Sequence, residues 1–237
     1  MNTQRILDGI VPIRDFIFVT SCFHCGRRLE KNEKRICRQC WNSLVEIDEH
    51  DFTYSILKKR FSMDGVIDDI VSLYYFEKGN LLQSLAHALK YQEIRQFGIE
   101  LGERLGKKLQ HRGYEYHDII PVPLNRFKFR ERGYNQSEYI AQGIMSVFRQ
   151  ATILNVVQRV KNTTTQTHLN ARERQHNVSH AFVVTSPARV QGRSLLIADD
   201  IITTGSTIQE VAKILKNSGA AKIVAVSAGL AKLGSGA

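Results

Sequence analysis

Residues 195–207 read Leu-Leu-Ile-Ala-Asp-Asp-Ile-Ile-Thr-Thr-Gly-Ser-Thr: an apolar run, two adjacent carboxylates, two more apolar residues and a small hydroxyl-rich turn. Leu195 to Ala198 are bulky and continuous enough for a strand buried on both faces, as in a parallel sheet. Asp199 and Asp200 then emerge at its C-terminal end, the edge at which open α/β sheets bind ligands. The turn Thr203, Thr204, Gly205, Ser206, Thr207 leads into Ile208, Val211, Ala212, Ile214 and Leu215 at helical spacing. Its N–H groups and hydroxyls therefore face a helix N-terminus that attracts a phosphate. Paired acids suit the 2- and 3-hydroxyls of a sugar, so the order as a whole suits a phosphorylated ribose. An ordinary capped helix after a solvated Asp pair would explain Thr207, but not two acids plus a Thr-Thr-Gly turn. The chain has neither the G-x-x-x-x-G-K-[ST] of a P-loop nor a G-x-G-x-x-G after a first strand.

The rest of the chain repeats the strand-then-helix rhythm of a parallel α/β sheet. Val66 to Phe76 is rich in β-branched and aromatic residues and reads as a strand or hairpin, ended by Gly79-Asn80. Leu81, Leu82, Leu85, Ala88 and Leu89 recur at helical spacing, and Ile94, Phe97, Ile99, Leu101, Leu105 and Leu109 follow in a second helix. A short apolar run, Ile119 to Pro123, precedes a helix around Tyr139, Ile140, Ile144, Val147 and Phe148. Further strands are expected at Leu154 to Val160, Phe182 to Val184 and Ile223 to Ala228. A chain of 237 residues holds one good-sized core plus a small appended module. The expected division is a module over 1–60 and a larger domain over 61–232, with 233–237 reading as an appended linker.

All four cysteines form two C-x-x-C knuckles, Cys22/Cys25 and Cys37/Cys40. The spacing lets four thiolates reach one tetrahedral Zn²⁺, with Gly26 after the first pair helping the turn donate N–H groups to sulfur. Disulfides are the competing reading, disfavoured in a chain without a secretion signal. Four thiolates leave no open position for water, so this zinc is structural. Phe23, Leu29, Ile36, Trp41 and Leu44 are expected to pack around it, with His24 a spacer facing solvent.

Hydrophobic content of 43% and charged content of 24% exclude a disordered or membrane-embedded chain. The N-terminal apolar stretch Ile10 to Val19 is broken by Pro12, Arg14 and Asp15, which excludes a signal peptide and implies a cytoplasmic location. A net charge of +10 favours polyanionic partners without choosing among them. Residues 126–136 interleave Arg126, Lys128, Arg130 and Arg132 with Phe127, Phe129 and Tyr134. Such a segment serves single-stranded nucleic acid, a pyrophosphate, or a half-buried strand with a wet charged face. The hydroxyl-rich stretch from Arg159 to Leu169, with Arg172, Arg174 and Asn177 behind it, reads as a mobile lid over an anion or as a plain surface loop.

Residues 195–207 resemble the 5-phosphoribosyl-1-pyrophosphate (PRPP) signature of the type I phosphoribosyltransferases. Several motifs then follow one order: the C-x-x-C pair, Leu89-Lys90-Tyr91, Pro121-Val-Pro123-Leu, Arg130-x-Arg132-Gly133-Tyr134-Asn135-Gln136, Gln166-x-x-Leu169-x-x-x-x-Arg174-x-x-Asn177 and that signature. With them the chain resembles the ComF/GntX family, in its ComFC-type branch of competence proteins. One departure is that Phe127 and Phe129 replace part of the longer basic run frequent in the family. The resemblance implies an α/β, type I phosphoribosyltransferase-like parallel sheet flanked by helices, with a small N-terminal four-Cys zinc module. It also implies PRPP binding, a role in natural transformation, and action on or with incoming single-stranded DNA in the cytoplasm beside a helicase-like partner. Asp199 and Asp200 would hold the ribose hydroxyls and act in catalysis, and Thr203 to Thr207 would cradle the 5-phosphate. Mg²⁺ with Lys90, Arg126 and Arg130 would answer the pyrophosphate, and Arg126, Lys128, Arg130 and Arg132 would meet DNA. Two alternatives stand beside this reading: a non-catalytic, PRPP-sensing nucleic-acid adaptor, and a nucleobase salvage phosphoribosyltransferase.

Overall fold

The computed structural model describes residues 21–48, 50–91, 94–116, 118–160 and 181–231. The proposed lid from Lys161 onward, the Ile10 to Val19 stretch and the closing linker lie outside the described residues. Two compact units part between Val45 and Glu46. Among its described residues the first contains one short helix, α1 (Arg38–Asn42), where the Cys37 sulfur accepts the N–H of Cys40 at 3.4 Å.

The second unit runs in the order α2 (Phe52–Ser62), β1 (Asp69–Phe76), α3 (Leu81–Tyr91), α4 (Gln96–His111), β2 (Asp118–Pro121), α5 (Arg126–Arg132) and α6 (Gln136–Val147). It continues with β3 (Thr152–Ile153), β4 (Val157–Arg159), β5 (Phe182–Val184), β6 (Ser194–Ile202), α7 (Ser206–Asn217) and β7 (Lys222–Ala231). Five strands form a parallel sheet in the order β1-β7-β6-β2-β3, and β4 and β5 form a separate antiparallel ribbon. β6 is therefore the middle strand. Its residues Leu195 to Ala198 are fully buried, as expected of a strand covered on both faces. α4 and α6 pack together on one side of the sheet. On the other, Val211, Ala212 and Leu215 of α7 join Leu195, Ile197, Ile223 and Ala225 in one apolar cluster. Among the described residues no helix is long and apolar enough to cross a membrane.

The structure differs from the sequence expectation in three places. The division falls at residue 45 rather than near 60, because α2 delivers Tyr54 and Phe61, each 1% exposed, into the core of the larger unit. The Tyr54 hydroxyl also donates to the carbonyl of Ile70. Of the strand expected over Leu154 to Val160 only Val157–Arg159 is strand (β4, in the ribbon), while β3 ends at Ile153, before that span, because the chain leaves the main sheet after the Leu154 N–H has bonded the Ile119 carbonyl. Finally, the basic-aromatic segment is a helix, α5, and not a half-buried strand. The Asn125 side chain accepts the N–H groups of Phe127 (2.7 Å) and Lys128 (3.4 Å), which starts the helix. Gly133, at φ +72°, ends it by donating to the Phe129 carbonyl at 2.8 Å.

α4 and α6 approach so closely that no side chain fits between them at two facing positions. A Cβ on Gly102 would lie 2.1 Å from the Ile140 carbonyl oxygen, and one on Gly143 2.2 Å from that of Ile99. Both obstacles are backbone, so a substitution must push the helices apart. Gly102→Ala is expected to cost about 2–3 kcal/mol by overpacking. Urea unfolding checks this, and a midpoint equal to that of the parent protein contradicts it.

Candidate functional site

β6 continues past Ala198, so both acids still belong to the strand, half-buried near its C-terminal end. Two helices reach them. From the last turn of α3, the Lys90 ammonium lies 2.7 Å from Asp200 Oδ2. From the first turn of α6, the Ser137 hydroxyl donates to Asp199 Oδ1 at 3.1 Å. The backbone adds N–H donors, from Asp200 to Asp199 Oδ1 (2.9 Å) and from Ile201 to Asp200 Oδ1 (2.8 Å). Burial opposes the charge on both acids. At Asp199 burial and the adjacent charge of Asp200 prevail, and the carboxyl is pushed up to about 7. At Asp200 the ammonium of Lys90 outweighs burial and holds the carboxyl below the ordinary aspartate value. Lys90 is raised in turn, because the two carboxylates outweigh its own burial.

The local fold around Lys90 explains its aim. The Tyr134 hydroxyl donates to the carbonyl of Leu89, which ties the end of α3 to the link between α5 and α6. Asn135 opens α6 by accepting the Ser137 N–H (3.2 Å), while its amide donates to the Val122 carbonyl (3.0 Å) just after β2. One short segment thus fixes three elements beside the acids.

Helical spacing divides the cations of α5 into two sets. Lys128 and Arg132, four residues apart, face inward: Arg132 is 9% exposed, its guanidinium stands 5.3 Å over the Tyr91 ring, and its charge helps hold Asp200 ionised. Lys128 is held below the usual lysine value by burial and by the charges of Arg132, Lys90 and Arg159. Arg126 and Arg130 are exposed, beside Phe127 at 63% and Phe129 at 47% exposure. Of the cations expected to answer pyrophosphate, the structure therefore brings Lys90 to the acids and leaves Arg126 and Arg130 on the outer side. Arg159, at the end of β4, stands 5.3 Å over the Phe182 ring and within the field of Asp199. Sequence reasoning missed Ser137, and the i, i+4 pairing of Lys128 with Arg132 was its available signal for the inward face.

The hydroxyl-rich turn begins α7 without a side-chain cap. Its N-cap is Gly205, at φ +74°, and a Cβ there would lie 1.9 Å from the ring of Phe61. Only glycine meets both conditions. Thr204 and Ser206 share a 3.0 Å hydroxyl contact across the turn. Apart from a long 3.5 Å bond from the Ser206 N–H to Thr204 Oγ1, no side chain among the described residues caps the first N–H groups of this helix, an arrangement chemically suited to an anion.

In the first unit, the ligand atoms of Cys22, Cys25, Cys37 and Cys40 all lie within 4.8 Å of one another. The sulfurs of Cys22 and Cys40 are 3.8 Å apart, and those of Cys25 and Cys37 3.7 Å. Four sulfurs at about 2.3 Å from a central Zn²⁺ stand about 3.8 Å apart at tetrahedral angles. A disulfide needs about 2.05 Å, so the cluster fits a metal and not a pair of disulfides. The Cys37 N–H donates to the Cys22 sulfur at 3.3 Å, the backbone support that thiolates need. Ile36, Trp41 and Leu44 are buried as expected, and His24 is exposed. Phe23, expected among the buried residues, is 36% exposed.

Residues 135–233 match the phosphoribosyl transferase domain family. Among curated proteins, the chain is 30% identical over 209 residues to Competence protein F of Haemophilus influenzae, covering 85% of this chain and 81% of that one. It is 35% identical over 201 residues to DNA utilization protein YhgH of Escherichia coli O157:H7, covering 84% and 74%. To Competence protein ComFC of Streptococcus pneumoniae it is 26% identical over 160 residues, covering 68% and 61%.

The charge balance at the acids can be read directly. In protein carrying ¹³C-labelled aspartate side chains, one carboxyl, that of Asp199, is expected to titrate near pH 7 while Asp200 stays ionised. Lys90→Met removes the cation that stabilises the Asp200 carboxylate, so the Asp200 midpoint should rise. An unchanged Asp200 titration in that variant contradicts the assigned pairing.

Proposed function

The chain belongs to the ComF/GntX family of competence proteins, and from that premise we propose that it binds PRPP at the end of β6 and works with single-stranded DNA during natural transformation. The observation that carries this reading is the half-buried acid pair on the middle strand, followed within a few residues by the uncapped start of α7. Asp199 and Asp200 take the ribose 2- and 3-hydroxyls, which donate to carboxylate oxygens. Thr203, Thr204, Gly205, Ser206 and Thr207 surround the 5-phosphate with N–H and hydroxyl donors. Mg²⁺ fits here as a companion of the diphosphate, held by ligand oxygens, because Asp200 is already paired with Lys90 and Asp199 already accepts two hydrogen bonds. When bound, it neutralises charge on the leaving group.

In a transfer reaction the bond from ribose C1 to the pyrophosphate oxygen breaks and the electron pair leaves with pyrophosphate. The acceptor's nucleophilic atom forms the new bond to C1 and gives up its proton. Carboxylates near C1 stabilise the oxocarbenium-like charge that develops between the two events. Asp199 and Asp200 therefore serve both binding and chemistry. Pyrophosphate release from Mg²⁺ and PRPP, surveyed across acceptors, separates turnover from sensing: saturable binding without release assigns the site to a sensor.

The exposed side of α5 supports the contact with DNA. Arg126 and Arg130 can follow a phosphate backbone while Phe127 and Phe129 offer faces to bases. The cytoplasm is the compartment where incoming strands and PRPP meet. In the first unit, the four cysteines hold one structural Zn²⁺.

Asp199→Asn combined with Asp200→Asn is expected to weaken PRPP binding by at least about 100-fold, the loss of two charge-assisted pairs of hydrogen bonds. Calorimetric titration checks this, and retained affinity refutes the assignment. The parent protein is expected to carry one zinc per chain by elemental analysis, and Cys37→Ser almost none. An equal zinc content in the two proteins would rule out the cysteine cluster as its seat.

A further inference from the structure

Between the C-terminal ends of α4 and α6 and the first residues of β6 and β7 lies a cavity of about 1050 Å³, lined by Arg112, Tyr114, Tyr116, Phe148, Arg149 and Lys222 with their neighbours. Ser194 opens β6 at this cavity, and Asp199 follows five residues later, about 16 Å along an extended strand. A ligand held here therefore sits at the opposite end of the sheet from one held by the acids. One wall is aromatic. Tyr114 and Tyr116 lie nearly parallel, 14° apart with ring centroids separated by 5.8 Å, and Phe148 meets Tyr116 at 79° and 5.7 Å. Tyr114 is anchored, because its hydroxyl donates to the Asp69 carboxylate. The Tyr116 hydroxyl is buried and has no hydrogen-bond partner among the described residues. Leaving such a group dry is costly, and a polar ligand edge would remove the cost.

The charged lining is mostly positive, with Arg112, Arg149 and Lys222 against Glu115. Arg112 and Arg149 follow the ends of α4 and α6, where cations complement the helix dipole, so their position alone implies no ligand. Lys222 has no such reason, because it begins a strand, and its ammonium stands 5.7 Å over the Tyr114 ring. Other cations at this edge of the sheet are matched with carboxylates: Lys58 with Asp69, Arg193 with Asp118 and Lys216 with Asp68. Neither Arg149 nor Lys222 has an ion-pair partner among the described residues. A bare phosphate would leave the rings unused, and a neutral aromatic would leave the cations unanswered. A flat heterocycle joined to a phosphate meets both.

We infer that this cavity seats a nucleotide, its base against Tyr116 and Phe148 and its phosphate toward Arg149 and Lys222. Stacking on rings tolerates any base, so the seat selects for the joined ring and phosphate and not for a sequence. The volume admits a whole nucleotide, either free or as one unit of a single strand. The inference does not rest on the PRPP reading, since none of its residues lies at the end of β6.

The test titrates full-length protein separately with thymidine monophosphate, an oligothymidine and inorganic phosphate. Four forms are compared: parent, Arg149→Glu with Lys222→Glu, Tyr116→Leu, and a control, Lys34→Glu with Lys213→Glu, that changes the net charge equally at exposed positions outside the cavity. Nucleotide affinity is expected to fall at least about tenfold in both cavity variants and less than about twofold in the control. Inorganic phosphate should weaken with the charge reversal and not with Tyr116→Leu, a split that a merely structural ring would not produce. In fluorotyrosine-labelled parent protein, thymidine monophosphate should move the fluorine signals of Tyr114 and Tyr116 and leave that of Tyr134, beside the acids, in place. Weakening of the oligothymidine alone assigns the seat to a strand, and weakening of the monophosphate alone to a free nucleotide. Should Tyr116→Leu fail to fold, the charge-reversed form, altered only at exposed residues, still decides. Unchanged affinity for both nucleotide probes in that form overturns the inference. So does phosphate binding as tightly as the monophosphate, which would make the cavity an anion site without a base. PRPP affinity measured alongside reports on the acids, and its absence in the parent leaves this inference standing.

Discussion

A strand in the middle of a parallel sheet commits its backbone to neighbours on both sides, so the chain first becomes available to a ligand where that strand ends. β6 is that strand, paired with β2 and β7. Near its C-terminal end it carries two consecutive carboxylates that burial makes expensive to ionise. The surrounding elements are arranged to answer that cost: Lys90 from α3, Ser137 from α6 and the inward cations of α5. Each is aimed by something smaller. The contact of Tyr134 with Leu89 places the lysine, Asn135 places the serine, and the contact between Gly102 and Gly143 lets α6 sit close enough to α4 for both.

The parts of this arrangement that were legible in the sequence share one property: a local pattern determined them. Leu195 to Ala198 could only be a doubly covered strand, and the two C-x-x-C knuckles only a four-sulfur cluster or disulfides. The periodic apolar residues of α3 and α4 likewise required amphipathic helices. α5 was ambiguous for a physical reason. Its alternation of Arg, Phe, Lys, Phe and Arg has a period of two, the period of a strand, over a stretch only seven residues long. Apolar periodicity is silent there, and the caps decide. Asn125 and Gly133 were the signal, and they also determine which cations face the acids.

The first division was misplaced for a related reason. α2 has weak amphipathic character, and Phe52 and Ile56 are exposed on it, so nothing local ties it to the larger unit. What ties it is tertiary. Tyr54 reaches the backbone of β1, and Phe61 fills the space against Gly205 that any side chain there would need. A residue far from the phosphate turn in sequence thus forces glycine into it, while the left-handed backbone of that glycine leaves α7 without a side-chain cap. The open N–H groups at this helix start follow from that choice, because a Ser or Asp in the same place would spend its own oxygen on them.

Electrostatics then decides what such a corner can admit. Two fully ionised carboxylates would repel a donor that carries phosphate at both ends, and in a half-buried setting that repulsion is only weakly screened. Here the two acids together present less than their full charge in neutral solution. Asp200 is matched by Lys90, and Asp199 sits near the midpoint of its titration. The acids keep their ability to accept hydrogen bonds from hydroxyls while contributing little net negative field. Lys128 and Arg132 then tip the local balance positive on the side of α5. That balance is the one the proposed binding of a sugar carrying phosphates would need. Losing Lys90 damages it twice, by raising the cost of the Asp200 carboxylate and by turning whatever charge remains against the ligand.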